Sequence, residues 1–205
     1  MREEHRQSGY TLLEILFTVA IVAVLVAVVV PTFKTTITRS SIQSLQNSLK
    51  ADLAFARSEA VSRNSTVTLC NAADGSGDYC NGTVDFSVGW IIFIDDGAGD
   101  RLKRGNSVVD SGEPILIRRM NESSNSVVYS ADPVTGKNAV TFSQRGYLDG
   151  VTQKAFFRIC PADGEDKDAR GIYLDFTGRS AFSRDIDADP RQIHDDNLGS
   201  NLSCS

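Results

Sequence analysis

The sequence predicts an α+β protein in which one long N-terminal helix leads into a β-rich head. Three observations carry that prediction. From Ile15 to Val30 only Thr18 is not apolar. Apolar residues then recur at three- and four-residue steps as far as Ala60, the spacing of one helix face. Beyond Asn64, short β-like runs alternate with stretches rich in Gly, Asp, Asn and Ser.

Residues 1–9, MREEHRQSG, are short, polar and charge-balanced. The apolar run over residues 10–30 is predicted to be a transmembrane helical segment. At about 1.5 Å per residue it nearly matches the hydrocarbon core of a bilayer, if slightly short. An ordinary secretory signal would carry a cationic head and a small-residue cleavage site after the apolar core. Here Val28-Val29-Val30-Pro31 follows instead. A plain signal anchor leaves Glu14 unexplained, because a carboxylate at the start of the run is costly in lipid unless paired. Pro31 lacks an N–H and crowds the preceding turn, so a kink or local opening of the helix is expected there.

Residues 31–63 continue the helix in amphipathic form. Phe33, Ile37, Ile42, Leu45, Leu49, Leu53, Ala56 and Ala60 make one stripe, with Lys34, Arg39, Gln43, Asn47, Lys50, Asp52 and Arg57 between them. Residues 64–205 form the head. Strands are predicted over 66–70, 88–94, 115–117, 127–129, 139–142, 155–160 and 171–176, with 88–94 buried and Trp90 in the core. The tail 185–205 reads as irregular, pinned by Cys204.

The chain has 205 residues, enough for one compact domain plus one extra element. Its net charge is −5, and the excess sits in residues 160–205, which hold ten acidic and five basic side chains. A non-specific nucleic-acid binder shows a basic patch, and none is visible here. The four cysteines, Cys70, Cys80, Cys160 and Cys204, all follow the apolar run. An even number in an exported domain points to disulfides, and four allow three pairings. The simplest choice joins Cys70 to Cys80 across a short loop and Cys160 to Cys204 at the tail. Structural zinc is the rival, but the close CxxC pairs of most such sites are missing.

Gly9-Tyr10-Thr11-Leu12-Leu13-Glu14, the apolar run and Pro31 together resemble the class III signal of type IV pilins and type II secretion pseudopilins. The resemblance implies cleavage after Gly9 by a prepilin peptidase and N-methylation of the new terminus, Tyr10, where the family more often has Phe. It also implies that Glu14 meets the terminal amine of a neighbouring subunit during assembly. A buried pair of that kind carries register information even when its net stabilisation is small. A second resemblance lies in the head. Leu53-Ala54-Phe55-Ala56-Arg57-Ser58-Glu59-Ala60-Val61, Val67-Thr68-Leu69-Cys70 and Gly89-Trp90-Ile91-Ile92-Phe93-Ile94-Asp95 are similar to the GspH/FimT family. So is Glu113-Pro114-Ile115-Leu116. The Gly89–Asp95 block favours the FimT and FimU minor pilins over the pseudopilin GspH. The implied protein is a single-pass subunit of the bacterial inner membrane with its head in the periplasm, and later part of a surface pilus. Its implied partners are prepilin peptidase, other minor pilins, the major pilin and the inner-membrane assembly platform. Alternatives are a pseudopilin of the type II secretion system and a DNA-binding subunit at the pilus tip.

The remaining candidates are weaker. Asp95, Asp96 and Asp100 could offer oxygens to calcium, with Asp110 or Glu113 folding back. The EF-hand spacing is absent, and a solvated turn after a buried strand accounts for the same residues. Some FimT-like pilins contact DNA through a Gly-Arg-x-Arg motif; here Gly178-Arg179-Ser180-Ala181 lacks the second Arg, although Arg184 is near. Asp175, Asp185, Asp187 and Asp189 would repel phosphate, so DNA is the less favoured partner. Arg118-Arg119 reads as a strand edge or a salt-bridge pair. The sequons at Asn64, Asn81, Asn121 and Asn201 carry little weight beside a bacterial leader. The two histidines, His5 and His194, complete no catalytic arrangement, so neither an enzyme nor a cofactor is expected.

Overall fold

The structure is a computed structural model. It describes residues 11–73, 78–96, 107, 109–130, 138–149, 155–184 and 201–204, with 28–32 and 34 by backbone alone. The chain divides into two compact units, Met1–Arg39 and Ser40–Ser205.

Helix α1 is Leu12–Arg63. In the first unit it starts at Thr11, whose hydroxyl accepts the Glu14 backbone N–H at 3.3 Å. That is the N-cap arrangement, and it satisfies one of the unpaired N–H groups of the first turn. The expected opening at Pro31 is not a break: the helix passes through it. One missing N–H removes one rung, while the turns on either side keep theirs. The apolar side chains that follow the cap stand in the open. Leu12 is 78% exposed, and Leu13, Ile15, Leu16, Phe17, Val19 and Ile21 are each more than half exposed. Among the described residues, no helix is long and apolar enough to cross a membrane. The segment expected to do so, 10–30, includes Tyr10, which lies outside them.

In the second unit the helix is amphipathic. Ile42, Leu49, Leu53, Ala56 and Ala60 are buried, and Leu45 packs partly against them. Phe33 and Ile37, expected in the same stripe, are exposed. Spacing shows which side chains could share a buried face; burial needs a covering element, and the covered stretch begins at Ile42.

Among the described residues the head has eight strands. They are β1 (Val67–Asn71), β2 (Gly89–Ile94), β3 (Ile115–Met120), β4 (Ser126–Ser130), β5 (Ala139–Phe142), β6 (Ala155–Cys160), β7 (Arg170–Leu174) and β8 (Ser180–Phe182). One antiparallel sheet runs β3-β2-β1-β5 and the other β4-β6-β7-β8. β1 pairs on both sides, with Leu69 opposite Ile92 of β2 and Val140 of β5. β1 and β5 are buried at every position, and β2 at all but its last. Hence they read as apolar runs without alternation. The core joins the α1 stripe to Val67, Leu69, Trp90, Ile92 and Phe142 of one sheet and to Val127, Phe157, Ile159, Ile172 and Leu174 of the other. Phe86, Tyr129 and Phe157 meet edge-on or tilted, at centroid separations of 4.7–5.9 Å. β3 extends to Met120 and takes in Arg118 and Arg119, beyond the three residues expected, and β8 was not anticipated.

Candidate functional site

The α1 segment of the second unit is tied to the head by polar side chains, Gln46, Asp52 and Arg57 among them, as well as by its apolar stripe. Asp52 lies three residues after Leu49 and four before Ala56, so it occupies the buried face. Its side chain is 4% exposed. It accepts the Trp90 indole N–H at 2.8 Å and both Nε and Nη2 of Arg119 at 2.9 Å. These bonds push the Arg119 pKa up, against the opposing effect of desolvation. Gln46, four residues after Ile42, donates to the Gly171 carbonyl at 2.9 Å. Arg57 Nε donates to the Gly146 carbonyl at 3.0 Å. Sequence reasoning placed Asp52 and Arg57 among the polar residues between stripe positions and missed their contacts. The signal available was a polar residue standing at the stripe's own spacing.

Both cysteine pairs are disulfides, Cys70–Cys80 and Cys160–Cys204. The second anchors the end of the chain. Leu202 is buried against Phe156, Cys160 and Ala169. Arg158 Nη1 donates to the Ser203 carbonyl, and the Cys204 N–H donates to Asp166, both at 2.6 Å.

Two of the candidate acidic residues, Asp95 and Glu113, are engaged inside the protein. Asp95 is fully buried. Its carboxylate accepts from the Thr68 hydroxyl at 2.5 Å and the Ser107 N–H at 2.9 Å, and its carbonyl accepts from the Thr66 hydroxyl. Glu113 accepts the N–H groups of Asp96 and Asp110. Burial, foremost, and then the neighbouring carboxylates of Asp95 and Asp110 push its carboxyl above the ordinary range, against those two backbone bonds. Among the described residues no group of three or more His, Cys, Asp or Glu could hold a metal ion. Asp100 lies outside them.

Gly178 and Arg179 form the β7–β8 turn. Asp175 accepts the Arg179 N–H at 3.0 Å and the Thr177 hydroxyl. Arg179 and Arg184 are exposed, and Arg179 lines a groove together with Arg57. At the other end of the chain Glu14 is exposed on the first turn of α1, while Gly9 and Tyr10 lie outside the described residues.

An N-terminal helix continuing into a head of two antiparallel sheets, behind a leader-like segment, defines a pilin-like protein. Residues 5–30 match the profile described as Prokaryotic N-terminal methylation motif. Residues 45–178 match the family described as Type II transport protein GspH, and the chain belongs to that family. It is a minor pilin or pseudopilin in the broad sense. Among solved structures, two crystal forms of the type IV minor pilin FimU from Pseudomonas aeruginosa are similar, each with a TM-score of 0.48. The identities are 21% and 18%, over 80% and 85% of this chain and 99% and 100% of FimU. No curated protein matches.

Proposed function

We propose that this chain is a minor pilin of a bacterial type IV pilus, a structural subunit that helps to initiate filament assembly at or near the tip. The observation that carries this reading is the N-terminal segment: Gly9-Tyr10 before a capped helix whose Glu14 and apolar side chains are exposed. In this reading prepilin peptidase cuts after Gly9, Tyr10 becomes the methylated terminus, and residues 10–30 hold the subunit in the inner membrane until it is extracted. Glu14 then pairs with a neighbour's terminal amine, and Pro31 belongs to the same assembly segment. The Gly89–Asp95 block supports the pilus. The description of the matched family favours the second reading, a minor pseudopilin of a secretion machine.

Intact mass and N-terminal sequencing of the protein from bacterial membranes test the processing step. A chain beginning at N-methylated Tyr10 is expected; one retaining residues 1–9, or cut beyond Val30, overturns it. Deleting the gene separates the machines: loss of surface pili supports the first reading, and loss of secretion with intact pili supports the second. Glu14→Ala is expected to leave the head folded while lowering incorporation, and normal incorporation would remove the pairing role.

A further inference from the structure

We propose that the groove between the last turns of α1 and the β7–β8 turn receives an acidic side chain of a neighbouring subunit. This rests on the reading of the chain as an assembly subunit and names a contact for its head. The groove is open, about 670 Å³, and is lined by Arg57, Ser58 and Ser62 of α1, by Gly178 and Arg179 of the turn and by Ser180 at the start of β8.

Its two arginines come from distant parts of the sequence: a hydrogen bond holds the Arg57 guanidinium, and the turn holds the Arg179 backbone while its side chain is exposed. Arg57 is aligned through Nε by the Gly146 carbonyl. That approach depends on glycine at two positions. Gly178 has φ +75°, and a Cβ there would lie 2.3 Å from the Gly146 oxygen. Gly146 has φ +77°, and a Cβ there would lie 3.1 Å from Val61 and 3.2 Å from Arg57. The nearby carboxylates are occupied. Asp175 closes its own turn, and Glu59 pairs with Arg63. Among the described residues neither Arg57 nor Arg179 has an ion-pair partner within 4 Å. A chain of net charge −5 thus gathers two arginines in one concavity, with the Asp175 carboxylate near enough to feel the Arg179 charge.

The occupant is a protein carboxylate rather than a polyanion. Asp175 at the edge and the acidic excess of the chain disfavour a run of phosphates but tolerate one carboxylate between two arginines. Val61, which also lines the groove, is 52% exposed. Two exposed aromatic residues flank the glycines in sequence: Tyr147 follows Gly146 and is 50% exposed, and Phe176, two residues before Gly178, is 60% exposed. Arginine beside exposed aromatic rings is the composition of protein–protein interfaces.

The test places a photoreactive benzophenone side chain at position 62 of the full-length chain in cells that build the filament. Adducts are mapped by mass spectrometry of sheared filaments. The expected adduct joins another pilin-family subunit through a peptide bearing Asp or Glu. Its yield should fall about tenfold with Arg179→Ala and recover in part with Arg179→Lys. The Arg179 side chain is exposed, so its removal spares the fold, and the thermal unfolding of each variant checks this. A chain present in filaments with no adduct, or with a yield indifferent to Arg179→Ala, overturns the proposal. A chain absent from filaments fails the assembly reading first. Binding of a fluorescein-labelled oligodeoxynucleotide to the detergent-solubilised full chain, lost in Arg179→Ala, would assign the groove to nucleic acid and also overturn it.

Discussion

Asp52 of α1 and Arg119 of β3 meet in a two-point ion pair, both N–O distances being 2.9 Å, and the same carboxylate accepts the Trp90 indole N–H. One side chain thus joins the helix to two adjacent strands. Trp90 is fully buried, whereas the Arg119 side chain is 46% exposed. Asp52→Ala should destabilise the head by about 2–4 kcal/mol, because a buried indole N–H loses its acceptor and the guanidinium its partner. Asp52→Asn, which keeps an acceptor for the indole, should cost less. Denaturant unfolding of the two variants measures the difference, and equal losses would show that the indole bond contributes little.

Gly178 and Gly164 both adopt a left-handed backbone, with φ of +75° and +73°. They differ in surroundings: a Cβ at Gly178 collides with the Gly146 carbonyl, and a Cβ at Gly164 meets nothing within 4 Å. Gly164→Ala should therefore cost only the conformational strain, about 1–2 kcal/mol. Gly178→Ala should cost more and should also loosen Arg57. Comparable melting temperatures for the two variants would contradict this.

The disulfides close loops of different length, with sequence separations of 10 and 44. On the loop-entropy model the longer contributes about 4 kcal/mol and the shorter about 3 kcal/mol. Opening Cys160–Cys204 also frees Leu202 from its buried position. Cys160→Ser with Cys204→Ser should lower the unfolding midpoint more than Cys70→Ser with Cys80→Ser. Thiol labelling of the native chain without reductant should give no modification, and full labelling would refute both bridges.

Burial pushes the Asp175 carboxyl up. Hydrogen bonds from the Thr177 hydroxyl and from the Arg179 and Thr177 N–H groups, with the Arg179 charge, more than offset this. The net shift is downward from the ordinary value of 3.8. Below 3.8 the unfolded chain binds a proton before the folded one, so stability rises with pH in that window. The contribution is present above 3.8 and is lost as pH falls through the folded value. Asp175→Asn lacks it at every pH. Thermal unfolding of wild type and variant should differ at neutral pH and converge in acid; a gap that persists would assign the effect to turn geometry instead of charge.

The long helix and seven of the eight strands among the described residues were legible in the sequence, because each rests on a local pattern. Three- and four-residue spacing marks the α1 stripe, and continuous apolar runs mark β1, β2, β5 and β6. β8 was missed because Ser180-Ala181-Phe182 is too short for a pattern and exists through its pairing with β7. Asp52 was placed among the polar residues between stripe positions, and its contacts were missed because its partners, Trp90 and Arg119, are 38 and 67 positions away. Phe33 and Ile37 kept the stripe's spacing but not its burial.

What the sequence by itself determined is everything carried by neighbouring residues: the leader-like segment at Gly9-Tyr10, Glu14 at the start of an apolar helix, and the order of helix and strands. Tertiary structure settled the cysteine pairing that the sequence had only favoured among three, and alone decided how Asp52 gathers Trp90 and Arg119 and how Arg57 and Arg179 come to line one groove. The reason is physical. Secondary structure follows from local spacing and backbone sterics, whereas a polar site is made of side chains from separate elements, and their meeting depends on how two sheets and a helix share one core.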